Sequence, residues 1–188
     1  MSRSRILRNF VIVLLLLTGL ACSLGNNKEQ IGPPGGQIPV SQTATDRLKQ
    51  NFNQALQEAS GNHESQLRIT NEEITSLVAQ ELSVPGKIPL SEPQIWFTSG
   101  RIYLTGKVKA FGIFKFDSLI VATAVVDNGG LVVKVLQAQM GPFDFPNQLL
   151  ESITETINET LAGILIDLKI TRLEILEGEM FVVGARRS

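Results

Sequence analysis

From Ile102 to Met140 the chain keeps a two-residue rhythm, interrupted by Asp127-Asn128-Gly129-Gly130. Ile102, Leu104, Val108 and Ala110 alternate with Tyr103, Thr105, Lys107 and Lys109. Phe114, Phe116, Ile120, Ala122, Ala124 and Val126 share one face of the next run, and residues 131–140 return. A period of two is that of a β-strand with one buried face. Asn-Gly tolerates the positive φ angles that a tight hairpin turn needs. The pattern predicts consecutive antiparallel strands in a meander, a sheet that must find something to cover its apolar face. An earlier run from Pro93 adds Ile95 and Phe97 to that face, with Ser99-Gly100-Arg101 as the turn.

The cover is supplied by the segment that follows. Met140-Gly141-Pro142-Phe143-Asp144-Phe145-Pro146 breaks the sheet. Pro146 suits a first helical turn, because its missing N–H would have had no helical partner. Asp144 stands where a carboxylate is expected to cap that helix. The helix is predicted to run to about Ile164, with Leu149, Leu150, Ile153, Ile157, Leu161 and Ile164 on one stripe. Glu151, Thr154, Glu155, Asn158 and Glu159 face away. Residues 168–176 and 180–186 read as a closing hairpin across Glu177-Gly178-Glu179.

Ahead of the sheet, residues 46–59 place Leu48, Phe52, Ala55, Leu56 and Ala59 on one helical face. Residues 66–70 alternate as a short strand. Thr70-Asn71-Glu72-Glu73 is a capping box opening a second helix, whose face is Ile74, Leu77, Val78 and Leu82; Val84-Pro85-Gly86 stops it. The expected architecture is α+β: one antiparallel sheet of about five or six strands with one long helix on its apolar face, and one or two N-terminal helices. Leu119, Val121, Val125 and Val132 make the second face partly apolar. They are expected either to be covered by the N-terminal helices or to support self-association.

The beginning of the chain has a different character. Residues 1–21 carry a basic start (Arg3, Arg5, Arg8), an apolar centre over 10–17, and Thr18-Gly19-Leu20-Ala21. This is the layout of a secretory signal. The centre is shorter than the roughly 20 apolar residues that span a bilayer. The chain's single cysteine, Cys22, follows at once. It reads as a lipid attachment site of the bacterial lipoprotein kind, bearing an acyl anchor such as palmitate. The alternative is a chance cysteine beside an ordinary cleavage site, since Gly19 stands where a lipobox has a large aliphatic residue. With no second cysteine to make a disulfide, lipidation is the favoured reading. Residues 22–42, with Gly32-Pro33-Pro34-Gly35-Gly36, read as a flexible linker with a reach of roughly 25 Å. Residues 43–188 are one domain's worth of chain, long enough to bury a core without disulfides.

Charge and chemistry narrow the function. Of 17 basic residues three lie within 1–21, so removing that segment leaves 14 against 18 acidic residues, a formal charge of −4. No basic run survives, which speaks against a nucleic-acid partner. Charge alone is also a poor means of holding anionic headgroups, so membrane attachment falls to acylated Cys22. The single histidine, His63, lies in a polar stretch, so no Ser-His-Asp or Cys-His set, zinc site or phosphate loop can be assembled. No cofactor or metal is expected. Asp117, Asp127, Asp144 and Asp167 read as turn, cap and solvent residues, and the expectation is a protein that is not an enzyme. Asn158-Glu159-Thr160 matches a glycosylation sequon that reads as accidental in a bacterial helix.

The element order also carries a resemblance. A strand runs into Thr70-Asn71-Glu72-Glu73-Ile74, a strand pair with a Gly-Arg turn follows, and a long hairpin ends in Gly141-Pro142-Phe143-Asp144-Phe145-Pro146 before a long helix and final hairpin. This resembles small bacterial membrane-attached domains of the YpmS and LmeA type, in the tubular lipid-binding (TULIP-like) superfamily. The resemblance spans about 67–183. It implies a strongly curved antiparallel sheet wrapped on the long helix, with a groove between them for phospholipid or another acyl ligand. The lining would be Ile95, Phe97, Ile102, Leu104, Val108, Phe114, Phe116, Ile120, Ile153, Ile157, Leu161 and Ile164. An apolar slot suffices, because an acyl chain gains about 0.8 kcal/mol per buried CH₂. The same residues would equally serve as the packed core of an ordinary α+β domain. Two functions therefore stand: an exported, membrane-tethered envelope lipoprotein that binds or carries an apolar ligand, or a non-enzymatic envelope interaction module with a closed core.

Overall fold

The computed structural model describes residues 34–59, 63–82, 90–110, 114–165 and 167–187. Residues 1–21, Cys22 and the linker up to 33 lie outside the described residues, as does the side chain of Ile164. The fold is α+β, with three helices and two antiparallel sheets among the described residues.

Helix α1 (Gln42–Glu58) starts four residues before the periodicity at Asp46 suggests. The reason is local: Ser41 is extended, and its hydroxyl accepts the N–H of Ala44 at 3.1 Å, satisfying one free donor of the first turn. Strand β1 (Glu64–Thr70) leads into α2 (Asn71–Leu82) through the expected capping box. The Glu73 N–H donates to the Thr70 hydroxyl at 3.3 Å, and the Glu73 carboxylate accepts the Thr70 N–H and hydroxyl, both at 2.9 Å. Glu73 is buried, and its second oxygen takes the Arg47 Nε of α1 at 2.8 Å. Glu72 holds the same guanidinium at 2.9 Å. Hydrogen bonds to Glu73, then Glu72, raise the Arg47 pKa, so this clasp between α1 and α2 keeps its cation.

The larger sheet runs β2 (Leu90–Thr98), β3 (Arg101–Ala110), β4 (Phe114–Asp127), β5 (Gly130–Met140) and β6 (Phe143–Asp144), each strand paired with the next. The β4–β5 turn sits at Asn128 and Gly129, both with positive φ, as the Asn-Gly pair requires. At Gly106 of β3 the β2 backbone comes so close that a Cβ would stand 2.9 Å from the Ser91 carbonyl oxygen and 2.7 Å from Leu90 Cδ1. Only glycine fits there.

Two expectations, about the sheet and about the start of the long helix, are corrected. The first is the single sheet of five or six strands. β7 (Leu168–Ile175) and β8 (Glu179–Arg186) form the expected hairpin, but β8 also pairs with β1, with Leu67 opposite Val182. The result is a separate three-stranded sheet in the order β1-β8-β7. Backbone bonds link the sheets: Gly100 N–H to Ile175 O, Gly178 N–H to Phe97 O, and Ile170 N–H to Gly129 O, all at 2.9 Å. The second concerns Asp144. It does not cap the long helix α3 (Asn147–Ile164), because Phe143-Asp144 is taken up as β6 opposite Gln139 and Met140. Pro146 is the N-cap, without a side-chain bond, one place before the helical position expected for it.

Both long edges of the five-stranded sheet are closed by side chains. On β2, the Thr75 hydroxyl of α2 accepts the Ile95 N–H at 3.0 Å and donates to the Ile95 carbonyl at 3.3 Å. Two residues on, Asn71 Oδ1 accepts the Phe97 N–H at 2.8 Å while Gly178 takes the Phe97 carbonyl. On β5, Asn158 of α3 accepts the Val133 N–H at 2.8 Å and donates to its carbonyl at 3.3 Å. Asn158 is thus turned to the sheet and not away from it. Each helix offers the edge the donor and acceptor that another strand would have supplied. Gln94 does the same for the chain ahead of α1, exchanging two bonds with the Ile38 backbone at 2.6 and 3.2 Å.

On the second face of the sheet Leu119, Val125 and Val132 are half-buried. Trp96, Tyr103 and Val121 stand opposite one another across β2, β3 and β4 and are all buried. Helix α1 packs on β1, and α2 on β1 and β2. No helix among the described residues is long and apolar enough to cross a membrane.

Candidate ligand cavity

Three groups of side chains converge between α2, α3 and the inner face of the five-stranded sheet. Helix α2 contributes Ile74, Leu77, Val78 and Leu82, the face its periodicity picked out. The sheet contributes Leu90, Ile95, Phe97, Ile102, Leu104, Ile120, Ala122, Val133 and Val135. Helix α3 contributes Ile153, Ile157 and Leu161, and Met180 of β8 completes the apolar set. They enclose a cavity of about 90 Å³.

Its polar lining is sparse. Glu81 stands at the end of α2, and Thr154 and Thr156 come from α3. The Thr154 hydroxyl donates to the Leu150 carbonyl one turn back, at 2.7 Å, so it is satisfied within its own helix. The remaining surface is hydrocarbon, which suits a ligand recognised by shape and burial. The volume sets a limit: a cavity of roughly 150 Å³ takes one benzene. At about 90 Å³ this one is smaller than that, and far too small for a whole phospholipid.

Eight of the twelve residues expected to line a groove meet here: Ile95, Phe97, Ile102, Leu104, Ile120, Ile153, Ile157 and Leu161. Val108 does not line the cavity, although it is fully buried within the same hydrophobic core. Phe114 and Phe116 lie farther along the same face, near the β3–β4 connection. Phe114 is 59% exposed, and Phe116 packs edge-on against Phe143 with ring centroids 5.6 Å apart. The contribution of α2 was absent from the expected lining, although its face was recognisable. The periodicity shows that Leu77 and Val78 are buried, not which cavity they border.

The four aspartates are all exposed and lie apart from the cavity: Asp127 ends β4 at the hairpin, Asp117 stands opposite Lys107, Asp144 is in β6, and Asp167 receives the Arg187 N–H on its backbone carbonyl. Among the described residues no cluster of three or more His, Cys, Asp or Glu is placed to hold a metal ion. No protein-family model matches the chain, and no curated protein matches it.

Proposed function

We propose that the protein is an exported envelope lipoprotein, held to a membrane by acylated Cys22, whose domain takes the acyl part of a lipid or a similar apolar molecule between α3 and the sheet. The observation that carries this reading is the cavity, lined by apolar side chains from α2, α3, four strands of the five-stranded sheet and β8, with three polar residues around it. In this reading the sheet acts as the curved wrap that the resemblance implies, and an acyl chain longer than the cavity is admitted by displacement of α3 from the sheet. Binding then draws its energy from burial of methylenes, about 0.8 kcal/mol each.

The small volume favours a second reading, a binding module of the envelope with a closed core and no internal ligand. Native mass spectrometry of the protein extracted from its host membrane separates the two. Co-purifying lipid that disappears in the cavity-filling variant Ile157→Phe supports the first. Protein free of lipid, or lipid retained equally by the variant, overturns it. The same spectra report whether Cys22 carries acyl chains.

A further inference from the structure

The end of the five-stranded sheet beside the β3–β4 connection exposes aromatic surface that the core does not use. Phe114 is 59% and Phe143 51% exposed, although both continue the apolar face of the sheet. Phe116 lies between them, 6.5 Å from the Phe114 ring and 5.6 Å from that of Phe143, so the three rings form one cluster. None of the three rings lines the cavity, so the cluster is a separate feature.

The charges at this end of the sheet, on the face opposite the rings, are arranged unusually. Lys109 and Lys115 are directly opposite each other across β3 and β4, both exposed, next to the last described pair of the hairpin. Like charges directly opposed across a sheet repel. Neither lysine has an ion-pair partner among the described residues, whereas Lys107, one step further in, is matched by Glu92 at 3.1 Å and stands opposite Asp117. The outermost described charges of the ribbon are therefore two unmatched cations, while Asp144 follows Phe143 on β6, beyond β5.

We propose that this end of the sheet docks onto an anionic lipid bilayer, with Phe114 and Phe143 in the interfacial layer and Lys109 and Lys115 among the headgroups. Aromatic residues favour that layer, and lysine stems reach along it to keep their ammonium groups in water. An anionic surface supplies the counter-charge that the lysine pair lacks. The extent of the patch favours a bilayer over a protein partner. Two half-exposed phenylalanines offer a few hundred Å² at most, against the roughly 800 Å² per partner of a stable protein interface. The inference does not depend on the cavity holding a ligand.

The test uses the full chain with Phe143→Trp, and the parent chain, whose only indole is the buried Trp96, as the blank. Any binding through the N-terminal segment is common to both, so the local signal is what counts. With vesicles of phosphatidylcholine and phosphatidylglycerol the introduced indole should shift to the blue and be quenched by brominated lipid. The quenched fraction should fall severalfold in pure phosphatidylcholine, and again in the Lys109→Gln/Lys115→Gln background. Because the lysine comparison is made within the Phe143→Trp chain, any effect of tryptophan on folding is common to both members of the pair. A solvent-like indole on vesicles that carry the protein overturns the proposal. So does quenching that ignores both lipid charge and the lysines, or a blue shift that grows with protein concentration without lipid, which would mark a self-association face.

Discussion

Asn158 of α3 bonds both the N–H and the carbonyl of Val133, at 2.8 and 3.3 Å, and so occupies the place of a missing strand beside β5. Replacing Asn158 by Leu leaves both backbone groups without this partner at a half-buried edge. The expected cost is about 1–3 kcal/mol, read from chemical denaturation. Asn158→Asp separates the two bonds: it keeps an acceptor for the Val133 N–H but sets an oxygen against the Val133 carbonyl. It should destabilise as well, although its size is unchanged.

Thr75 plays the same part on the opposite edge and is fully buried. Thr75→Val preserves shape and removes the hydroxyl. Loss of both bonds to Ile95 should cost about 1–3 kcal/mol. Thr75→Ser, which retains the hydroxyl, should recover most of that loss in the same denaturation series.

Gly106 is a steric requirement of the β2–β3 crossing. Gly106→Val drives carbon into the Ser91 carbonyl oxygen, which is main chain and cannot rotate aside. Overpacking of this kind should lower stability by about 1–3 kcal/mol, with the hydrogen-exchange protection of β2 affected first.

Gly163 sits in the last turn of α3, where an added Cβ would meet nothing within 4 Å. Gly163→Ala should raise stability, by up to about 1 kcal/mol in a helix interior and less near its end. If ligand entry requires α3 to leave the sheet, the variant offers a way to ask whether a stiffer final turn slows uptake, followed as the rate of fatty-acid binding.

Much of this fold was legible locally. The alternation over 102–140 and the Asn128-Gly129 turn locate β3, β4 and β5, and Thr70 with Glu73 marks the start of α2. What escaped was non-local. β1 pairs with β8 through a register that no short window of sequence contains, which is why one sheet was expected and two are present. Asn158 looked like a solvent residue because helical periodicity sorts side chains by polarity, and its partner is a main chain. Phe114 has the phase of a core residue. How far the helices extend over that face is set by their docking, which alternation does not encode. The cavity was legible to a similar depth: its sheet and α3 walls follow from period, whereas its α2 wall depends on how α2 is held against Ile95.

The pairing of β1 with β8 also bears on when the domain can fold. Arg68 and Glu179, ion-paired across these two strands, are 111 residues apart in the chain. Contacts so distant close late, because the entropy of the intervening loop must be overcome first, and topologies rich in them fold in milliseconds to seconds and not microseconds. A chain halted at Ile175 would have β1 and β7 but not the strand that lies between them. The strand that completes the smaller sheet thus follows every other described element in synthesis, and until it arrives the polypeptide remains an unfinished thread.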